Sequence, residues 1–244
     1  MKAIFIAMLL PLLVFGCRAP NAGFSEAEKR YDSGVVLAAR GQLAQAITEY
    51  DAAINLDPEF ALAYNNRGTA YGEVGRHEDA FQDLAEAIRL DPQLASARYN
   101  RGNIYRNLGK VDLAIVDYDE AIRLDPQFAF AYVNRAISYA GLGQHARAIG
   151  DFGEAIRLNP QDADAHSNRG ISYAGLSAYE RAIEDFDKAI RLDPLFVNAY
   201  SNRAIAYTFL GKDVEAQPDI ETAVKLGFDQ VELDVIIDEV KNRR

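Results

Sequence analysis

From residue 27 to residue 230 the polar and apolar positions follow a pattern that returns every 34 residues. Asp57-Pro58, Asp91-Pro92, Asp125-Pro126, Asn159-Pro160 and Asp193-Pro194 mark it, and Gly227-Phe228 in VKLGF is a degenerate further copy. Six units result, 27–60, 61–94, 95–128, 129–162, 163–196 and 197–230. Small residues recur at the eighth position (Gly34, Gly68, Gly102, Ala136, Gly170, Ala204), at the twentieth (Ala46 to Ala216) and at the twenty-seventh (Ala53 to Ala223). Large ones at the eleventh and twenty-fourth, such as Tyr71 with Leu84, Tyr105 with Tyr118, Tyr139 with Phe152 and Tyr173 with Phe186, fill the space between. This spacing predicts two closely packed helices per unit. Gly75, Gly109, Gly143 and Gly211 at the fifteenth position can take left-handed φ and end the first helix. The proline at the thirty-second ends the second, because the residue before it avoids the α region.

One such hairpin cannot bury its apolar face alone, so the units must stack. A 34-residue period with this pattern resembles the tetratricopeptide repeat (TPR), two antiparallel helices per unit. The resemblance implies an all-α fold, a right-handed α-solenoid of six TPR hairpins. Unit one departs from the others, with Ser33 and Leu37 where later units carry Arg and Tyr, as an end cap would. Residues 231–244 place Leu233, Ile236, Ile237 and Val240 on one helical stripe ahead of a basic tail, which predicts a C-terminal capping helix. Gly150 and Gly153 lie inside the second helix of unit four, each costing roughly 1 kcal/mol against Ala. Pro218 should delay or kink the second helix of unit six.

On a wheel of 100° per residue, positions one, four, eight and eleven of the first helix face the core, and positions two, five, six, nine, twelve and thirteen fall opposite. Asn66, Asn100, Asn134, Asn168 and Asn202 occupy position six and so face away from the core. In the TPR family that face lines a concave groove, and asparagine rows along it hold extended peptides in some solenoids. A side-chain amide has both a donor and an acceptor, so it can pair with one peptide unit of any sequence. The competing reading is that each Asn bonds its neighbouring repeat or only solvates the helix. Phe130, Val133, Ile137, Ile171, Ile205 and Phe209 make the C-terminal half of this face apolar, whereas Thr69, Glu73, Asn103 and Arg106 make the N-terminal half polar. An apolar strip flanked by amides suits a peptide with hydrophobic anchors, although these Ile residues could instead pack against neighbouring first helices. The Lys and Arg pattern with which some TPR domains clamp a terminal carboxylate is missing at positions two, five and six.

Position seven reads differently. Arg67, Arg101, Arg135, Arg169 and Arg203 each co-occur with an Asp sixteen residues on, namely Asp83, Asp117, Asp151, Asp185 and Asp219. Unit one lacks both partners, carrying Ser33 and Glu49. This matching predicts ion pairs between the helices of a hairpin.

Charge and composition narrow the function. A net charge of −10 with no basic run argues against nucleic acid, whose phosphates need a concentrated basic face. Residues 3–15 are apolar without interruption after Lys2, too short to span a bilayer at about 20 residues but suited to a secretory signal. Val14-Phe15-Gly16-Cys17 follows and resembles the lipobox of bacterial lipoproteins, with Phe15 less usual than Ala or Ser. The resemblance implies a signal peptide 1–16, acylation of Cys17 and a short linker 17–26. Several acyl chains would anchor the chain stably, where one gives only marginal binding. A plain cleaved signal with an incidental Cys is the alternative. Arg18, not Asp, follows the Cys, which in enterobacterial sorting implies the outer membrane, facing the periplasm.

His77, His145 and His166 lie in different units, and no HExxH, CxxC, phosphate loop or nucleophile elbow occurs, so neither a metal, a cofactor nor an enzyme is expected. The expected function is a non-enzymatic protein- or peptide-binding scaffold, a lipid-anchored TPR adaptor of the bacterial envelope for proteases or cell-wall hydrolases. Two alternatives stay open: a pilotin-like lipoprotein assisting secretin or pilus assembly, and a structural homo-oligomer whose groove is filled by its own partner's helix.

Overall fold

The computed structural model describes residues 23–243, and among them every regular element is an α-helix. The fold class is all-α, a solenoid type built from helical hairpins. The chain divides into two compact units between Gly109 and Lys110. The predicted signal peptide, Cys17 and most of the linker lie outside the described residues.

The first compact unit holds α1 (Glu26–Ala39), α2 (Leu43–Leu56), α3 (Ala61–Glu73), α4 (His77–Leu90) and α5 (Ala95–Asn107). α1 packs on α2 and α3 on α4 as hairpins, α2 and α4 lean on the next first helix, and α1, α3 and α5 pack in succession. The second compact unit begins with α6 (Val111–Leu124). It continues through α7 (Ala129–Gly141), α8 (His145–Leu158), α9 (Ala163–Gly175), α10 (Tyr179–Leu192), α11 (Val197–Phe209), α12 (Asp213–Lys225) and α13 (Gln230–Arg243). Here α7/α8, α9/α10 and α11/α12 are the hairpins, and α7, α9, α11 and α13 follow one another.

The joints obey local chemistry. Each first helix but one ends on a glycine with positive φ: Gly41 at +73°, Gly75 at +81°, Gly109 at +72°, Gly143 at +71° and Gly211 at +72°. The α9–α10 joint uses Ser177 at +59°, where a Cβ makes the left-handed region unfavourable. Each second helix from α2 to α10 is capped by the residue before proline; Asp57, at φ −138° and ψ 93°, is already extended. The side chain there also shapes the turn. Asp57, Asp91, Asp125 and Asp193 each accept the backbone N–H two residues on, at 2.9–3.0 Å. These Asx turns reverse the chain around the proline.

Small residues hold the helices together at short range. The alanines at the twentieth and twenty-seventh positions are almost wholly buried in every hairpin, beside Tyr50, Leu84, Tyr118, Phe152 and Phe186. A Cβ on Gly170 would lie 2.7 Å from the Phe186 ring, and one on Gly68 3.0 Å from Leu84 Cγ. Small-to-large changes at such sites cost about 1–3 kcal/mol.

Two expectations need correction. The fifth position of the first helix does not face outward: Asn65, Ser167 and Ser201 are buried. A single hairpin has one hidden face, but in the stack a first helix meets its own partner, the preceding second helix and the adjacent first helices, so a second stripe is covered. Pro218 does not delay its helix, since α12 starts at Asp213, in the same register as the other second helices. Its missing N–H frees only the carbonyl of Val214, a residue 85% exposed that water can serve.

Candidate functional site

In the first compact unit the position-six amides are already engaged. Asn66 Nδ2 donates to the Tyr31 hydroxyl of the preceding repeat at 3.0 Å, and its Oδ1 accepts Asn65 Nδ2 at 2.9 Å. Asn100 Nδ2 donates to Asn65 Oδ1 at 3.0 Å. Asn100 is only 9% exposed, so the expectation that it faces an open groove is corrected: it is a strut between repeats, with Asn65 as its acceptor. The half-buried Tyr31 and the buried Tyr50 close this network. Burial pushes both phenols above their usual range, against the hydrogen bond from Asn66 that lowers them.

In the second compact unit Asn134, Asn168 and Asn202 are half-buried. The side chains of Asn168 and Asn202 make no hydrogen bond among the described residues, so both amides keep a donor and an acceptor to offer. Phe130 is 57% exposed and Ile171 42% exposed. The other apolar candidates are drawn into packing. Val133 and Ile137 lean on the cluster of Ala136, Ala148 and Phe152. Ile205 packs on Ala223, Leu233 and Ile237, so α13 covers part of the expected strip, and Ile205 is corrected from groove to core. Phe209 stacks on Tyr179 with ring centres 4.5 Å apart. What stays open is Phe130, Ile171 and the amides of Asn168 and Asn202, with Asp164 nearby on the same helix as Ile171. Burial first, then the charges of Asp162 and Asp193, raise the Asp164 carboxyl above its usual range.

The arginines form a second system. Arg67 donates Nε and Nη2 to Asp83, both at 2.7 Å, and Nη1 to Asp51 of the preceding repeat at 2.6 Å. Arg135 repeats this with Asp151 (2.7 Å twice) and Asp119 (2.6 Å), and Arg203 with Asp219 and Asp187. One guanidinium thus clamps its own hairpin bidentately and staples it to the hairpin before. For Arg67, Arg135 and Arg203 burial pulls the pKa down, and the paired carboxylates outweigh it and raise it. The staple to the preceding repeat was not anticipated, although Asp at position twenty-five of units one, three and five was its signal. Arg169 differs: it holds Asp185 at 2.8 Å twice, but Gly153 stands where the second acid would be. Arg101 and Asp117 belong to different compact units.

The histidines do not gather. His166 Nδ1 lies 3.3 Å from Asp185 Oδ1, and among the described residues no three His, Cys, Asp or Glu side chains form a metal-ligating group. No helix of the described residues is long and apolar enough to cross a membrane.

Family models described as TPR repeat match residues 34–75 and 70–109, and others described as tetratricopeptide repeat match 95–128 and 133–195. The chain belongs to the tetratricopeptide repeat family. Among curated relatives of this TPR chain, DnaJ homolog subfamily C member 3 of Gallus gallus is 36% identical over 81 residues, 33% of this chain and 16% of the relative. The Homo sapiens protein of the same name is 37% identical over 60 residues, 25% of this chain and 12% of the relative. The TPR chain therefore spans less than a fifth of the length of the curated relatives it matches. Among solved structures, Pseudomonas aeruginosa PilF aligns at TM-score 0.76 and 16% identity over 90% of this chain and 98% of that one. YrrB, described as a TPR protein with an unusual peptide-binding site, aligns at 0.67 and 22% identity over 79% and 97%. At these identities the two likenesses speak for the fold alone. A MamA structure aligns at 0.59 and 25% identity over 69% of this chain and 92% of that one.

Proposed function

We propose that this TPR chain is a non-enzymatic adaptor that holds an extended segment of a partner protein against its later first helices, and that a lipid on Cys17 keeps it at a bacterial envelope membrane. The observation that carries the first half is the pair of unengaged amides, Asn168 on α9 and Asn202 on α11, with the exposed Ile171 one turn from Asn168 and the exposed Phe130 on the preceding first helix, α7. Each amide can take one peptide N–H and one peptide C=O whatever the partner's sequence, and Ile171 and Phe130 offer apolar contact to alternate side chains. The partner chemistry that fits is an extended peptide with bulky apolar residues. Support for the second half is the Val14-Phe15-Gly16-Cys17 stretch behind an apolar segment. On this reading the partner belongs to the envelope, with proteases and cell-wall hydrolases as the class of client and the outer membrane facing the periplasm as the location.

The test is an envelope pull-down comparing wild type with the double variant Asn168→Ala, Asn202→Ala, with Asn100→Ala as control. Partners retained by wild type and by the control should be lost from the double variant; equal recovery from wild type and the double variant overturns the peptide-holding role. For the anchor, Cys17→Ser should move the protein from the membrane pellet to the soluble fraction and abolish labelling by a palmitate analogue. Unchanged fractionation overturns the anchor without touching the groove.

A further inference from the structure

The clamp at Arg169 differs at two positions from those at Arg67, Arg135 and Arg203; the first difference, the missing acid of the preceding repeat, it shares with Arg101, which has Ala85 there. Arg67, Arg135 and Arg203 spend Nη1 on an acid of the preceding repeat, Asp51, Asp119 and Asp187. At Arg169 that acid is Gly153, and among the described residues Nη1 makes no hydrogen bond. The aromatic beneath the other three guanidinium groups, Tyr64, Tyr132 and Tyr200, is replaced here by His166, which turns Nδ1 toward Asp185. His166 is 6% exposed and its Nε2 has no partner, so this cluster holds an unserved buried nitrogen as well as an unserved guanidinium edge.

The glycines of α8 sharpen the point. Interior helical glycine costs roughly 1 kcal/mol against Ala, so Gly150 and Gly153 together disfavour α8 by about 2 kcal/mol. Packing does not require them. A Cβ on Gly150 would meet nothing within 4 Å, and one on Gly153 would meet only Arg169 Nη1, at 3.9 Å. Contrast Gly170, where the Phe186 ring occupies the space of a Cβ. The two α8 glycines are three residues apart, hence on one side of the helix, and what they clear is a notch that ends at the open edge of Arg169.

We propose that this notch is a docking point for a carboxylate of a partner polypeptide, which takes on Arg169 the place that Asp119 takes on Arg135 and Asp187 on Arg203. A guanidinium presents five donors in a fixed plane, and with Nε and one Nη2 hydrogen committed to Asp185 the Nη1 side remains for a second carboxylate. The glycines let the incoming chain come close to α8 without meeting a side chain. The site is separate from the amides of the proposed peptide groove and stands or falls independently of them.

The experiment uses the whole chain and two probes: N-acetylaspartate amide, which carries a side-chain carboxylate, and N-acetylglycine, which carries a chain-terminal one. Binding is read from the arginine Nε–H resonance that disappears in Arg169→Lys, at constant ionic strength. Wild type should bind at least one probe in the millimolar range, and Gly153→Asp, which fills the place with the residue found there in three other repeats, should weaken it at least about tenfold, or 1.4 kcal/mol. Gly153→Ala adds a methyl and no charge and should stay within about threefold of wild type, a difference under 1 kcal/mol. Stronger binding of one probe assigns the source, an Asp or Glu side chain or a chain end. No shift with either probe, equal binding to wild type and Gly153→Asp, or equal loss in Gly153→Ala and Gly153→Asp overturns the proposal.

Discussion

At the scale of the residue, two side chains that adjoin in sequence do unrelated work. Asn66 and Arg67 share a helical turn, yet Asn66 bonds Tyr31 while Arg67 ties Asp83 to Asp51. Magnitudes rank the arginine contacts. Asp151 is nearly buried and held bidentately, so Arg135→Ala strands a carboxylate and should cost about 3 kcal/mol. Asp119 is half exposed and adds no more than about 1 kcal/mol. Arg169→Ala, which loses only the Asp185 clamp, should accordingly destabilise less than Arg135→Ala by about 1 kcal/mol or less. Urea unfolding of the two variants checks the order; identical midpoints would mean that the second acid contributes nothing. The sixteen-residue pairing was readable because both partners vary together among units. The role of Asn100 was not, because its acceptor Asn65 stands at position five of unit two alone, and the later units offer Tyr99, Val133, Ser167 and Ser201 there.

At the scale of the element, the helix ends follow from glycine, proline and Asx chemistry, and those were legible residue by residue. Ser177 is the exception, a non-glycine residue at φ +59°. Ser177→Gly relieves that conformation and should stabilise the chain by about 1 kcal/mol, with thermal unfolding as the measurement. A drop in stability would show that the serine side chain contributes more than its backbone costs. The wheel failed at position five for a definite reason: it treats a helix as having one neighbour, and a first helix in this stack has several. Faces buried by a neighbouring repeat carry no separate mark, because Asn, Ser and Tyr there are as compatible with water as with a polar joint. For the same reason Ile205 read as groove, since its covering element, α13, is a shortened echo of the pattern.

At the scale of the whole molecule, the two compact units have different terminal problems. The first begins with α1, whose N-terminus carries its own capping box, Ser25 accepting from Glu28 N–H at 3.2 Å and Glu28 from Ser25 N–H at 2.6 Å. The second ends with α13, which buries Leu233, Ile237 and Val240 and presents Asp238 where every earlier first helix presents Gly or Ala. A charged side chain there does not suit the close helix approach that Gly or Ala allows in the earlier hairpins. Removing residues 230–244 should expose Ile205, Ile220 and Val224 and cost about 5 kcal/mol of burial. The truncated chain should unfold at lower denaturant and self-associate with concentration by light scattering; an unchanged midpoint would deny α13 its capping role. Order of repeats, hairpins and cap were thus present in the 34-residue register, whereas partner identity has no counterpart in a repeating pattern.

Among the described residues, the missing acid at Gly153 also leaves one joint of the second compact unit without an ion pair between repeats. Arg135 straps α6 to α7 and α8, and Arg203 straps α10 to α11 and α12, but no such strap joins α8 to α9. The α8–α9 joint therefore forgoes no more than about 1 kcal/mol and rests on helix packing, as the contact of α8 with α9 shows.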